Sequence, residues 1–275
     1  MIHILLEMFS YTFLVRAVIV GLLASLCAAL LGVSLVLKRY AMIGDGLSHV
    51  GFGTLAIATA INAAPLAVSI PIVVLAAFML LRISENSKIK GDAAIALIST
   101  SSLAIGVVAI SLTTGMNIDV YNYMFGSILA MSREDVTLSI ALAAVVLTLF
   151  VLFYNKIFAV TFDETFAQAT GTKAGLYNML IAFLTAITIV LGMRMMGALL
   201  ISSLIIFPAL TAMRICKTFR SVTICAAAVS LVCFFAGVVI SYIYATPTGA
   251  SVVILNMIAF LLFWAVGVAG GRVRK

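Results

Sequence analysis

The chain has 275 residues, 65% of them apolar and 9% charged, with a mean hydropathy of +1.31. Soluble domains are about 45–50% apolar, so this composition excludes an ordinary soluble protein and leaves no room for a sizeable soluble or catalytic domain. The net charge of +7 and pI near 9.4 do not point to nucleic acid, because most basic residues fall in short loops between apolar runs, the pattern that membrane topology produces.

Apolar runs follow one another near residues 12–37, 47–62, 65–81, 93–114, 136–154, 177–193, 198–213, 221–244 and 251–270. Most approach the roughly 17 to 25 residues a spanning helix needs. The expectation is an all-α polytopic membrane protein with about eight or nine transmembrane helices, forming one transmembrane domain over residues 1–275. The first run is read as a retained span, since Leu26 before Cys27 does not suit a lipoprotein signal and no Lys or Arg precedes Arg16. Ala24, Ala28 and Gly32 in that run, and Gly267 and Gly271 in the last, have the spacing that lets membrane helices pack closely, although such residues are common in membrane helices anyway. The seventh run is short and carries Pro208, so a broken or re-entrant helix is expected there. Basic residues give the orientation. If nine passes alternate, 13 of the 16, from Lys38 and Arg39 to Lys275, share one side, and only Arg16, Arg133 and Arg194 lie on the other. The positive-inside rule then places the N-terminus outside and the C-terminus in the cytoplasm.

Acidic residues are rare, and an aspartate at the centre of a membrane helix costs about 2.5 to 3.5 kcal/mol. Asp45 and His49 in IGDGLSHVGFG stand four residues apart, on one helix face, where a carboxylate and an imidazole can hold a metal ion together. They are flanked by Gly44, Gly46, Gly51 and Gly53, which let the backbone break or let another helix or chain approach. The competing reading is a buried hydrogen bond that only stabilises the fold. The pair follows Arg39 by about six residues, roughly 9 Å of helix, so it is an inner gate unless the chain bends back toward mid-membrane. Asp92 opens GDAAIALISTSS and is read as an N-terminal cap in preference to a transport role. Asp119 is either an entry ligand on the metal path or a turn residue. Glu7, Glu85, Glu134, Asp135, Asp163 and Glu164 are read as solvated loop or terminal residues. The four cysteines, Cys27, Cys216, Cys225 and Cys233, form no C-x-x-C spacing and are read as packing residues.

Five segments in fixed order, GDGLSHVGFG, GDAAIALISTSSLAIGVV, DVYNYMFGSILAMSREDV, MGALLISSLIIFPALTAMR and ATPTGASVVI, together resemble the membrane permease family of zinc and manganese ATP-binding-cassette importers. The likeness runs from about Leu30 to Val253, and YMFGSILAMSREDV leans toward the zinc-uptake branch. The resemblance implies a homodimeric permease in the cell membrane, two copies of a cytoplasmic ATPase subunit, and an extracellular or periplasmic metal-binding protein. It also implies Zn²⁺ or Mn²⁺ as transported substrate, with no permanently bound cofactor, and a metal path through Asp45 and His49. The loop at about 155–175 contains TFDETFAQATGTKAG, in which Glu164, Ala167 and Gly171 resemble a helix that receives the stroke of an ATPase. No G-x-x-x-x-G-K-[ST] phosphate loop occurs, so the chain is read as a permease and not an enzyme. Two other classes stay in view. An ion-coupled secondary transporter would use the same Asp and His as a relay, and an intramembrane hydrolase lacks its motif, Ser48 facing about 100° away from His49 on a helix.

Overall fold

The computed structural model describes residues 7–86, 91–113 and 133–269, and among the described residues the secondary structure is helical throughout. After a helical turn at 7–10, the elements are α1 (Thr12–Leu37), α2 (Ala41–Ala60), α3 (Pro65–Asn86), α4 (Gly91–Thr113), α5 (Arg133–Leu152), α6 (Tyr154–Phe162), α7 (Glu164–Ala169), α8 (Ala174–Met196), α9 (Ala198–Met213), α10 (Phe219–Tyr244) and α11 (Thr248–Ala269). Each of the nine apolar runs of the sequence becomes one helix. Seven of the described helices are long and apolar enough to cross a membrane, with α9 a shorter apolar one. α2 is long enough at 20 residues but too polar for that group, for the same reason that it is informative: it carries Asp45, His49 and four glycines.

Burial sorts the helices into a centre and a rim. The apolar stretches of α1 and α8 are 72% buried, whereas those of α11, α5 and α4 are 17%, 22% and 28% buried. A helix apolar all round is stable only in hydrocarbon or in a core, and the rim helices present the hydrocarbon side, with Leu112, Val151 and Leu262 among their exposed residues. Thirteen of the 20 residues of α2 are buried, so the least apolar span is held among other helices. It packs against α3, α4, α8 and α9, while α1 packs against α9 and α10. At one such crossing a Cβ on Gly32 would collide with the Ile205 carbonyl of α9. The small-residue spacing of the first run therefore has a structural use.

α9 is continuous through Pro208, with ten of its 16 residues buried, so the expected break is absent. Proline is tolerated inside a membrane helix that neighbouring helices enclose on several sides. The chain reverses between α1 and α2 in three residues. Arg39 takes a left-handed conformation at φ +60°, and Tyr40 N–H donates to the Leu35 carbonyl at 2.7 Å while Arg39 N–H donates to Val36, which satisfies the carbonyls orphaned at the helix end. Leu81 at the end of α3 and Asn178 at the start of α8 border this turn, and Phe219 at the start of α10 stacks on Tyr154 and Phe158 of α6. Four segments that the sequence placed on one side are thus gathered at one end of the bundle.

Candidate functional site

α2 positions the Asp45–His49 pair, and its glycines explain how. A Cβ on Gly46 would come 2.7 Å from Ile95 and one on Gly53 2.5 Å from the Ser102 carbonyl oxygen, both on α4. Gly51 meets Met193 of α8 at 2.8 Å, and Gly44 meets Ile205 of α9 at 3.1 Å. The glycines let three neighbouring helices approach; they do not break the helix, which runs without interruption from Ala41 to Ala60. Four interior glycines cost about 1 kcal/mol each relative to alanine, offset here by the close contacts. With three sides of α2 occupied, Met42, Asp45 and His49 share the remaining one, the Asp45 side chain 41% exposed and that of His49 26%.

His49 Nε2 lies 3.8 Å from Asp45 Oδ2. That is too long for a hydrogen bond but within ion-pair reach when the ring is protonated, so the contact fits a stabilising pair as well as a pair of ligands. Two ligands on a tetrahedral zinc ion sit about 3.3 Å apart when the bonds are near 2.0 to 2.1 Å, and a small side-chain rotation closes this pair onto one ion. His49 Nδ1 is buried without a hydrogen-bond partner among the described residues, a state that costs about 1–3 kcal/mol for a polar group. Among the described residues no group of three or more His, Cys, Asp or Glu could hold a metal ion, so within them this face offers the two donors Asp45 and His49. By helix rise, Asp45 is about 6 Å and His49 about 12 Å from the start of α2. The helix itself shows no break between Ala41 and Ala60. Ser48, behind the pair, donates to the Asp45 carbonyl at 2.7 Å and meets Ser202 of α9 at 3.4 Å, away from His49 as the helix geometry requires.

The other sequence expectations separate. Asp119 lies outside the described residues. Asp92 is the second residue of α4, inside the first turn and not before it. Glu134 and Asp135 belong to the first turn of α5 and are not loop residues, and acidic side chains there favour the helix N-terminus. The loop at 155–175 forms α6 and α7. Asp163 caps α7, accepting from Phe166 N–H at 2.9 Å. Gly171 ends it at φ +82°, with Thr172 N–H donating to the Ala167 carbonyl at 2.9 Å. Ala167 is 1% exposed, packed with Val160 and Ala174. Glu164 is no solvated loop residue: it pairs with Lys38 at 3.1 Å. Of the three residues singled out on this loop, Ala167 and Glu164 therefore face the body of the protein, and Phe162 and Phe166, each 65% exposed, form the outer face. Sequence reasoning misses Lys38 and Asn178, because a lysine beside a run end reads as a topology signal and a lone asparagine inside an apolar run gives no spacing to recognise.

A family model described as the ABC 3 transport family matches residues 10–267. The chain belongs to that family. It is a multi-pass membrane subunit of an ATP-binding-cassette transporter, with no catalytic activity of its own. Among its relatives, the high-affinity zinc uptake system membrane protein ZnuB of Haemophilus influenzae is 31% identical over 252 residues, 92% of this chain and 97% of that one. The manganese transport system membrane protein MntC of Halalkalibacterium halodurans is 29% identical over 256 residues, 93% of this chain and 88% of that one. The solved structure of PsaBC from Streptococcus pneumoniae in complex with Fab superposes with a TM-score of 0.86 at 27% identity, covering 96% of this chain and 95% of that chain. Family membership decides against the ion-coupled transporter and the hydrolase.

Proposed function

We propose that this chain is the permease of a divalent-metal importer, that Zn²⁺ is its substrate with Mn²⁺ next, and that Asp45 and His49 line the metal path. The observation that carries this reading is the pair itself: two donors 3.8 Å apart, one ring nitrogen buried and, among the described residues, unpartnered, on a largely buried helix. Relatives named for zinc and for manganese support a metal substrate. An aspartate and a histidine suit either ion, and intrinsic divalent affinity favours Zn²⁺.

A carboxylate 41% exposed on an apolar surface is costly against lipid. A second copy related by a two-fold axis covers it and brings the ligand number to two carboxylates and two imidazoles. The site is transient, because import requires binding strong enough to replace the hydration shell and weak enough to release the ion. The N-terminus lies outside and the Lys38 end of the bundle faces the cytoplasm, where Phe162 and Phe166 at about 155–175 meet the ATPase subunits, and an external binding protein delivers the metal. Asp119, in the segment before α5, stands as an entry ligand. Uptake of radioactive zinc and manganese by cells that depend on this permease tests the site. Asp45→Asn and His49→Ala are each expected to lower uptake at least tenfold, since even the loss of a group that supports a metal ligand costs about 10- to 100-fold; uptake at the normal rate in both variants removes the assignment.

A further inference from the structure

Lys38 closes α1 three residues before α2 begins, yet its side chain is only 7% exposed. An ammonium has three N–H donors, and three acceptors meet this one: the Val160 carbonyl at 3.1 Å, Glu164 Oε2 at 3.1 Å and Asn178 Oδ1 at 2.6 Å. The Asn178 amide donates in turn to Glu164 Oε1 at 3.0 Å, so three side chains from three segments close a ring. The Tyr40 ring lies 5.9 Å from the ammonium. A lysine that only marked the cytoplasmic side would keep its head in water; this one is held by α6, α7 and α8.

We propose that Lys38 is a positioning residue through which the α6–α7 segment holds and moves the start of α2, and with it the Asp45–His49 pair. The inference rests on the importer reading above. The turn is stiff, since Arg39 is left-handed and both of its neighbouring carbonyl bonds are made, so displacement of the ammonium passes to Ala41 instead of being absorbed. Asp45 follows about 6 Å further along the helix. α7 presents two different sides: Phe166 is exposed for a partner, and Glu164, on the same short helix, grips Lys38. Charge-assisted bonds shielded from water are strong and directional, as a link that transmits a stroke must be.

The test uses the complete transporter, permease with its ATPase and binding protein, reconstituted in vesicles in which ATP hydrolysis and uptake of radioactive zinc are measured together. Lys38→Met keeps the aliphatic stem and removes the donors, Glu164→Gln keeps the shape and removes the charge, and Lys38→Arg restores a cation. Lys38→Met and Glu164→Gln are expected to lower metal moved per ATP by about tenfold, within the usual range of coupling between sites, while hydrolysis stays within roughly twofold. Lys38→Arg recovers most of the ratio, and the double variant is no worse than the poorer single one. An unchanged ratio in both single variants overturns the proposal, as does a parallel fall of hydrolysis, uptake and assembled complex, which is the signature of a structural brace. If Lys38→Met does not assemble, Glu164→Gln decides alone, since Glu164 is 38% exposed and the change conserves its size. Unmodified transporter that accumulates neither zinc nor manganese overturns the importer reading, and the relay with it.

Discussion

Gly53→Ala tests whether the close crossing of α2 and α4 is what holds the helix of Asp45 and His49 in place. A Cβ at residue 53 would lie 2.5 Å from the Ser102 carbonyl oxygen and 3.2 Å from its carbon. Comfortable contact lies at about 3.5 Å, so the helices must part by roughly 1 Å, and no rotamer change relieves a clash with backbone. Overpacking of this kind costs about 1–3 kcal/mol, and alanine returns about 1 kcal/mol of helix propensity. The net expectation is a loss of up to about 2 kcal/mol, or up to roughly 8 °C in melting temperature at about 2–4 °C per kcal/mol. Gly175→Ala is the matched control, because an added Cβ there meets nothing within 4 Å and the residue is the second of α8. Thermal unfolding of the purified permease in detergent, followed by loss of the monodisperse species, gives both values. A Gly53→Ala protein that melts as high as Gly175→Ala would refute the reasoning, since each change adds one methyl to a helix and only the first drives it into a neighbouring backbone.

Three further outcomes follow from single contacts. Asp163→Ala removes the cap on Phe166 N–H and should destabilise α7 by about 1 kcal/mol, seen as faster proteolysis within 164–172 with the spans intact. Gly171→Ala meets no atom within 4 Å but sits at φ +82°, so its cost of about 1–2 kcal/mol is purely conformational, and amide exchange in α7 should accelerate about 5- to 30-fold. Ser230→Ala deletes the hydroxyl that donates to the Ser25 carbonyl across α10 and α1 at 3.0 Å; interhelical bonds of this kind average about 0.6 kcal/mol, so the melting temperature should fall by no more than a few degrees.

The membrane architecture was legible because apolar runs of spanning length survive any detail of packing, and the charge bias of the loops anticipated which ends of the helices gather together. Helix starts were less legible. By hydropathy the second run begins at residue 47, because Asp45 interrupts it, whereas backbone bonding carries α2 back to Ala41. Pro208 suggests a break, since the sequence does not reveal that α9 is enclosed on several sides. The pair Asp45 and His49 was legible from spacing alone, for residues four apart on a helix share a face wherever the helix goes.

Sequence by itself therefore determined the solvent of this protein, the positions of its apolar helices and the shared face of Asp45 and His49, all of which depend on local periodicity and composition. Tertiary structure alone decided what the glycines around that face are for, that Glu164 and Ala167 look inward while Phe162 and Phe166 look out, and that Lys38 is enclosed by groups more than 120 residues away in the chain. Those facts arise from which helices touch, and contacts between distant segments leave no period in the sequence that forms them.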